Sequence, residues 1–264
     1  MPVGDHLREW RRRRRMSQLD LACEAEISTR HLSFVETGRA TPSREMILHL
    51  AEQLEIPMRE RNVLLVAAGY APLFPERALG APELAAAREA IELILEGHKP
   101  YPAFALDRRW NAVATNGALP ELYAGVAPGL LEPPVNVIRL SLHPEGFAPR
   151  ILNLAEWRGH LIGRLRRQIE LTADAGLIEL LAEVSGYAKV SSINDWRPVG
   201  SPSSDMVIPL RLQTPFGVIS FFSTTMVFGT PVEVTLSELA LESFFPADAE
   251  TAAIVLSLNA SSPS

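Results

Sequence analysis

Thr29, Arg30, His31 and Ser33 place four hydrogen-bonding side chains within five consecutive residues, next to an aromatic ring at Phe34. On a helix, Leu32 and Val35 lie three apart and share one buried stripe, so the four polar groups point away from it. Polar side chains on the opening turns of an exposed helix can hydrogen-bond to base edges in the major groove of DNA. Phe34 has two roles open to it, contact with a thymine methyl or packing on a neighbouring helix, and His31 is equally consistent with a surface polar group.

A second helix must brace the first. Ser17 is placed to N-cap it, Asp20 three residues on gives a weak capping box, and Leu21, Ala22 and Ala25 form its inward face. Ala22 is small where the two helices cross. After a break at Glu26-Ile27, Ser28 caps the exposed helix and Gly38 suits the left-handed position that ends it. The arginine run 11–15 spreads around a helix at about 100° per residue, so only part of it faces DNA. Arg12 to Arg15 stay open to phosphate attraction or to a solvated face. Thr41-Pro42-Ser43 starts another helix with Met46, Ile47, Leu50, Ala51 and Leu54 as its apolar face, and Ile56-Pro57 ends it. A fifth helix over 58–68 closes at Gly69.

The remaining chain changes texture after the proline- and glycine-rich stretch 71–82, read as a linker. A helix over 83–96 leads to a hairpin, 103–106 and 110–115, around a charged turn at Asp107 to Arg109. Helices follow at 151–171 and 174–185. A second hairpin pairs an alternating strand, 207–214, with a long one, 218–228, across Thr214-Pro215-Phe216-Gly217. Asn136 to Leu142 fits strand or helix. Strand pair, helices, strand pair predicts an antiparallel sheet covered on one face.

A sheet face bearing Phe222, Met226 and Phe228 under Leu154, Trp157 and Leu161 has enough apolar surface to line a ligand pocket, with Trp110 at its mouth or wall. Arg139, His143 and Arg150 are the candidates to orient a ligand head, since a guanidinium grips a carboxylate bidentately in a dry cavity. The competing reading of each residue is plain core, or, for Arg139, an ion pair with Glu132.

The formal charge is −6, yet residues 1–61 hold 11 basic and 10 acidic side chains, leaving 14 against 21 for the rest. DNA binding is thus expected to be local to the basic head, salt-sensitive and aided by dimerisation. Cys23 is the single cysteine, which excludes a disulfide framework and a thiolate metal site and is expected to be a buried, inert thiol. No apolar leader opens the sequence and no run reaches the length of a membrane span, so a soluble, cytoplasmic protein is expected. There is no Gly-x-Ser-x-Gly elbow, no His-Glu-x-x-His and no glycine-rich phosphate loop. His143-Pro144-Glu145 lacks metal-ligand spacing, so no catalytic residue, metal or cofactor is assigned.

Ser17-Gln18, Leu21-Ala22, Ile27-Ser28, Glu36-x-Gly38-Arg39 and Pro42 together resemble the Cro/phage-repressor, or xenobiotic response element, helix-turn-helix family. That resemblance implies that Gln18 clamps a phosphate, that Thr29, Arg30 and Phe34 face bases, and that Arg11 pairs with Glu36. The set expected at DNA is Gln18, Ser28, Thr29, Arg30, His31, Ser33, Phe34, Arg39 and Arg44. Arg15 stands where the family often has glycine, so the first helix is expected to end differently. The wider pattern, with Pro42-Ser43-Arg44-Glu45-Met46, Arg59-Glu60-Arg61-Asn62, Ala68-Gly69-Tyr70-Ala71-Pro72 and Leu106-Asp107-Arg108-x-Trp110-Asn111, is similar to the MmyB-like transcription regulators. It implies an all-α five-helix helix-turn-helix domain (1–70), a linker (71–82) and an α+β PAS-like domain (83–264), an antiparallel sheet with helices on one face.

The expectation is a sequence-specific regulator of double-stranded DNA, a homodimer, sensing a hydrophobic effector such as a fatty acid or acyl chain through Trp110, Arg139, His143, Arg150, Trp157 and Phe222. The alternatives are a second domain that only dimerises or binds a protein, and a DNA-tethered enzyme.

Overall fold

The computed structural model describes residues 1–187 and 208–261. They divide into two compact units. One comprises Met1–Ala78, Gln168–Ala173 and Thr230–Ser237; the other comprises the described residues within Leu79–Arg167, Asp174–Gly229 and Glu238–Ser264.

The first unit contains helices α1 (Val3–Arg13), α2 (Gln18–Glu24), α3 (Thr29–Glu36), α4 (Arg44–Gln53) and α5 (Met58–Ala67). The side chains of Ser17, Ser28 and Ser43 accept from the backbone N–H three residues on, and Asp20 returns the bond to the Ser17 N–H at 2.7 Å, which completes the capping box. Leu7, Leu21, Leu32, Ile47, Leu50 and Leu64 meet in a core with no exposed surface. Cys23 lies on the exposed side of α2, which corrects the buried thiol expected: Leu21 and Ala22 take the inward stripe and turn position 23 outward.

All five helices end alike. The N–H groups of Met16, Ile27, Arg39, Ile56 and Tyr70 each reach back five residues to a carbonyl, a Schellman turn that satisfies otherwise orphaned carbonyls. The residue before each has positive φ: glycine at 38 and 69, but Arg15 (57°), Glu26 (51°) and Glu55 (48°) elsewhere. Arginine in place of glycine therefore does not change how α1 ends; it adopts the left-handed conformation itself. A side chain there costs about 1–2 kcal/mol, partly offset by the chain entropy that glycine loses on folding. Arg15→Gly is thus expected to stabilise the protein by about 0.5–1 kcal/mol, read as a rise in Tm. A fall would show that the exposed Arg15 side chain contributes more than its backbone strain removes.

Gly4 sets the approach of α1 to α3. A Cβ there would lie 2.4 Å from the Val35 carbonyl oxygen and 2.8 Å from that of Glu36. Part of the expected linker packs in this unit as well. The Asn62 side chain accepts from the Leu73 and Phe74 N–H groups and donates to the Phe74 carbonyl.

The second unit is α+β. Five strands, β1 (Ala103–Leu106), β2 (Ala112–Thr115), β3 (Leu210–Thr214), β4 (Gly217–Val227) and β5 (Ala240–Pro246), form one sheet in the order β2-β1-β5-β4-β3, with every neighbouring pair antiparallel. Both expected hairpins are present, and β5, absent from the sequence reading, joins them. Val207 lies outside the described residues. Helices α6 (Ala85–Gly97), α7 (Val137–Leu142), α8 (Leu154–Thr172), α9 (Ala175–Gly186) and α10 (Ala249–Ser261) accompany the sheet. The ambiguous stretch 136–142 is helical because Asn136 N-caps it, accepting from the Arg139 N–H at 3.1 Å. Ile91 and Leu95 of α6 pack with Ala103, Ala105 and Leu241. Side chains alternate across a strand, so α6 covers one face while Phe104, Glu242 and Phe244 point to the other. No helix of the described residues is long and apolar enough to cross a membrane.

Candidate functional site

The polar face of α3 is held from behind by a carboxylate. Glu36, its last residue, has a fully buried side chain. Arg11 grips it with two hydrogen bonds, Nε to Oε1 at 2.6 Å and Nη2 to Oε2 at 2.8 Å, and spends a third donor on the Met16 carbonyl. Gln18 Nε2 donates to the same Oε2 at 2.7 Å, and Arg8 reaches the Glu36 carbonyl. Burial alone would raise the pKa of Glu36. Hydrogen bonds from Arg11 and Gln18 and the charges of Arg11 and Arg8 outweigh it and hold the pKa below the usual carboxylate value. Three elements, α1, α2 and α3, therefore meet at one carboxylate, the turn after α1 is tied in through Arg11, and α3 is presented at a fixed angle.

On the outer side, Arg30 and Arg39 are exposed and both guanidinium groups lie over the Phe34 ring, 5.3 and 5.9 Å from its centroid. Phe34 serves as their platform. Thr29, His31 and Ser33 are half-buried on the same helix, Ser28 is engaged as its cap, and Arg44 stands exposed at the first turn of α4. Of the neighbouring arginines, Arg14 donates to the carbonyls of Leu54 and Glu55 at the end of α4. Arg13 pairs with Glu9 at 2.7 Å, and both it and Arg14 lie over Trp10. Arg12 and Arg15 are exposed.

The second site is a cavity of about 70 Å³ in the second unit. Ten of its twelve lining residues are apolar, among them Phe104, Trp110, Phe147, Trp157, Leu161 and Phe244; Ser141 and Glu242 are the others. The turn 107–111 fixes Trp110. Asp107 accepts from the N–H groups of Arg109 and Asn111 and from the Asn111 amide, while Asn136 binds the Arg109 carbonyl and the Asn111 side chain. This forces Trp110 to φ 67°, a conformation rare for a bulky residue. Its ring lies 4.5 Å below the Arg164 guanidinium.

Arg164 in turn donates to Glu242 Oε1 at 2.7 Å and to Thr225 Oγ1 at 3.0 Å. Trp157 donates its indole N–H to Ser141 Oγ at 2.8 Å and stacks on His160. Burial first, then the Arg164 charge, lowers the pKa of His160 against the opposing pull of Glu242, so it is neutral at pH 7.

Among the residues expected from sequence to bind ligand, Trp110 and Trp157 line this cavity; Arg139, His143, Arg150 and Phe222 are not among its lining residues. Arg139 is bidentate on Glu183, not paired with Glu132, and His143 packs edge-on against Tyr187. Arg150 donates to the Leu122 carbonyl. Phe222 stacks on Phe245, whereas its neighbour Phe221 meets Phe244 of the cavity. Glu242, Arg164, Phe104 and Phe244 were missed. An acid inside the apolar run 239–245 and the helical spacing of Trp157, Leu161 and Arg164 are the signals that carried them.

Residues 2–64 match a helix-turn-helix domain, and residues 87–258 match the MmyB-like transcription regulator ligand binding domain. An uncharacterized HTH-type transcriptional regulator, RghRB, of Bacillus subtilis (strain 168) is 40% identical over 76 residues, 28% of this chain. The chain spans about half the length (52%) of that curated relative. With a reading helix braced by a buried carboxylate, an aromatic cavity in the second unit, and a ligand-domain match over more than half of its length, the chain belongs to the MmyB-like transcription regulators, carrying a helix-turn-helix DNA-binding domain ahead of an MmyB-like ligand-binding domain.

Proposed function

We propose that the protein binds a palindromic DNA site as a cytoplasmic homodimer, and that an apolar small molecule of the fatty-acid or acyl-chain class, held in the cavity, changes its DNA affinity by binding and not by turnover. The cavity carries this reading, with ten apolar side chains around about 70 Å³. Ligand pockets for drug-sized molecules run to roughly 300–1,000 Å³, so an acyl chain must widen this one to enter. A ligand that fits only a widened state shifts the population toward that state by its differential affinity, which is the requirement for an effector. Native mass spectrometry of freshly purified protein, with an organic extract, tests it. A dimer that releases an apolar molecule supports the reading. A ligand-free dimer favours a second domain that only dimerises or binds a protein, and a monomer removes the homodimer.

At the DNA, Arg30 is proposed to read a base. Arg30→Ala should relax preference at one base step by about 1–3 kcal/mol, measured by binding to a set of single-base operator variants. A uniform loss across all sequences would make Arg30 a phosphate contact.

A further inference from the structure

Helix α8 contributes Trp157 and Leu161 to the cavity wall and is pinned by polar contacts on either side of Leu161. Before it, Trp157 donates to Ser141 Oγ at 2.8 Å, and Arg158 donates to the Val184 and Ser185 carbonyls, both at 3.0 Å. After it, Arg164 holds Glu242 and Thr225 and lies over Trp110. Of residues 159–163, Leu161 alone is buried.

Gly159 and Gly163 fall within this span, two residues on from Trp157 and Leu161. That offset is about 200° round a helix, so both face away from the cavity, and both are exposed. A Cβ at either would meet no atom within 4 Å, and neither has positive φ. Neither packing nor backbone geometry therefore demands glycine, although it is a poorer helix former than alanine. Its effect here is compliance. A helix that bows toward solvent lengthens the hydrogen bonds on its solvent side, and glycine leaves that backbone open to water, which takes up the weakened bonds.

We propose that α8 is the moving wall of the cavity: an acyl ligand pushes Leu161 outward, α8 bows at Gly159 and Gly163, and the cavity widens while the pins at Trp157, Arg158 and Arg164 stay closed. This rests on the cavity being the effector site and gives the widened state a place in the fold. The two glycines lower the cost of that state, at the expense of a weaker helix when the cavity is closed.

Gly159→Ala/Gly163→Ala in the full-length protein tests it, with two probes: decanoate, followed by calorimetry, and xenon, which enters small apolar cavities and needs no widening, followed by xenon NMR. The double variant should melt higher, by about 2–4 °C per alanine. A lower Tm would overturn the proposal, since the straight helix would then require glycine. Decanoate should bind the variant at least about fivefold more weakly than wild type, because the stiffer helix populates the widened state less, and xenon within about twofold of wild type. Decanoate affinity within about twofold of wild type would overturn the hinge. In a Leu161→Ala background, where truncation has already opened the wall, the two alanines should cost less than about twofold; a cost that persists there would overturn Leu161 as the displaced group. The comparison with wild type stands without that background. Loss of the dimer with decanoate affinity unchanged would overturn the hinge and make the glycine pair a docking stripe for a second copy. Wild type that does not take up decanoate would overturn the cavity as the effector site, a result distinct from an unchanged affinity in the variant.

Discussion

Glu36→Gln is expected to destabilise the first unit by about 3–5 kcal/mol, the largest effect of any polar substitution considered. The amide keeps the shape of the carboxylate but removes the charge that holds Arg11 bidentately, and the Arg11 side chain is only 10% exposed. A buried guanidinium without its partner carries the full desolvation penalty, whereas removal of both charges is far milder. Chemical denaturation should therefore show the loss in Glu36→Gln and recovery of much of it when Arg11→Met is added.

The pH dependence has a definite sign. The folded pKa of Glu36 lies below the unfolded value, so its stabilisation is present above the unfolded pKa and fades as pH falls through the folded one. The gap between wild type and Glu36→Gln should begin to narrow as pH falls past about 4 and close only below the folded pKa. A loss under about 1 kcal/mol at pH 7, the range of an exposed pair, would mean that the network holds α3 less firmly than its geometry implies.

Trp157→Ala should cost the second unit a comparable amount, about 3–5 kcal/mol. Trp157 is 3% exposed, packs against His160 and closes one side of the cavity. Truncation leaves a hole of indole shape and the Ser141 hydroxyl without its donor. Added indole can refill that hole, and at a hundredfold excess over its Kd it should return about 2.7 kcal/mol, seen as a rise in Tm of the variant that wild type does not share. A small destabilisation without indole rescue would show that the walls collapse to fill the space.

The first unit was readable because its signals are local. Ser17, Ser28 and Ser43 act on N–H groups three residues away, and the apolar spacings within α2, α3 and α4 are set inside each helix. The breaks at Glu26-Ile27 and Ile56-Pro57 were legible, but not that Arg15, Glu26 and Glu55 take the left-handed position usually given to glycine. The exposure of Cys23 was misjudged because one cysteine carries no pattern of its own. In the second unit, alternation along β4 identified two faces but not that both carry helices or which one holds the cavity: α6 covers one, and the cavity forms on the other under α7 and α8, far off in the sequence. Phe222 thus looked like a ligand contact where Phe221 holds the cavity side. Arg139, His143 and Arg150 carried suitable chemistry, but their partners are Glu183, Tyr187 and the Leu122 carbonyl. Trp110 was legible as a residue of interest, though not the turn around Asp107 that forces its backbone.

Arg30 and Arg39 already lie against the Phe34 ring before any DNA arrives. Fixing a freely rotating long side chain at an interface forfeits about 0.5–1.5 kcal/mol of conformational entropy, and two arginines would double it. Held on one ring, they forfeit less on association, so the benefit falls on residence time more than on the rate of encounter, which charge and diffusion set. A phenylalanine that seats two arginines would in this way lengthen the life of the complex on DNA.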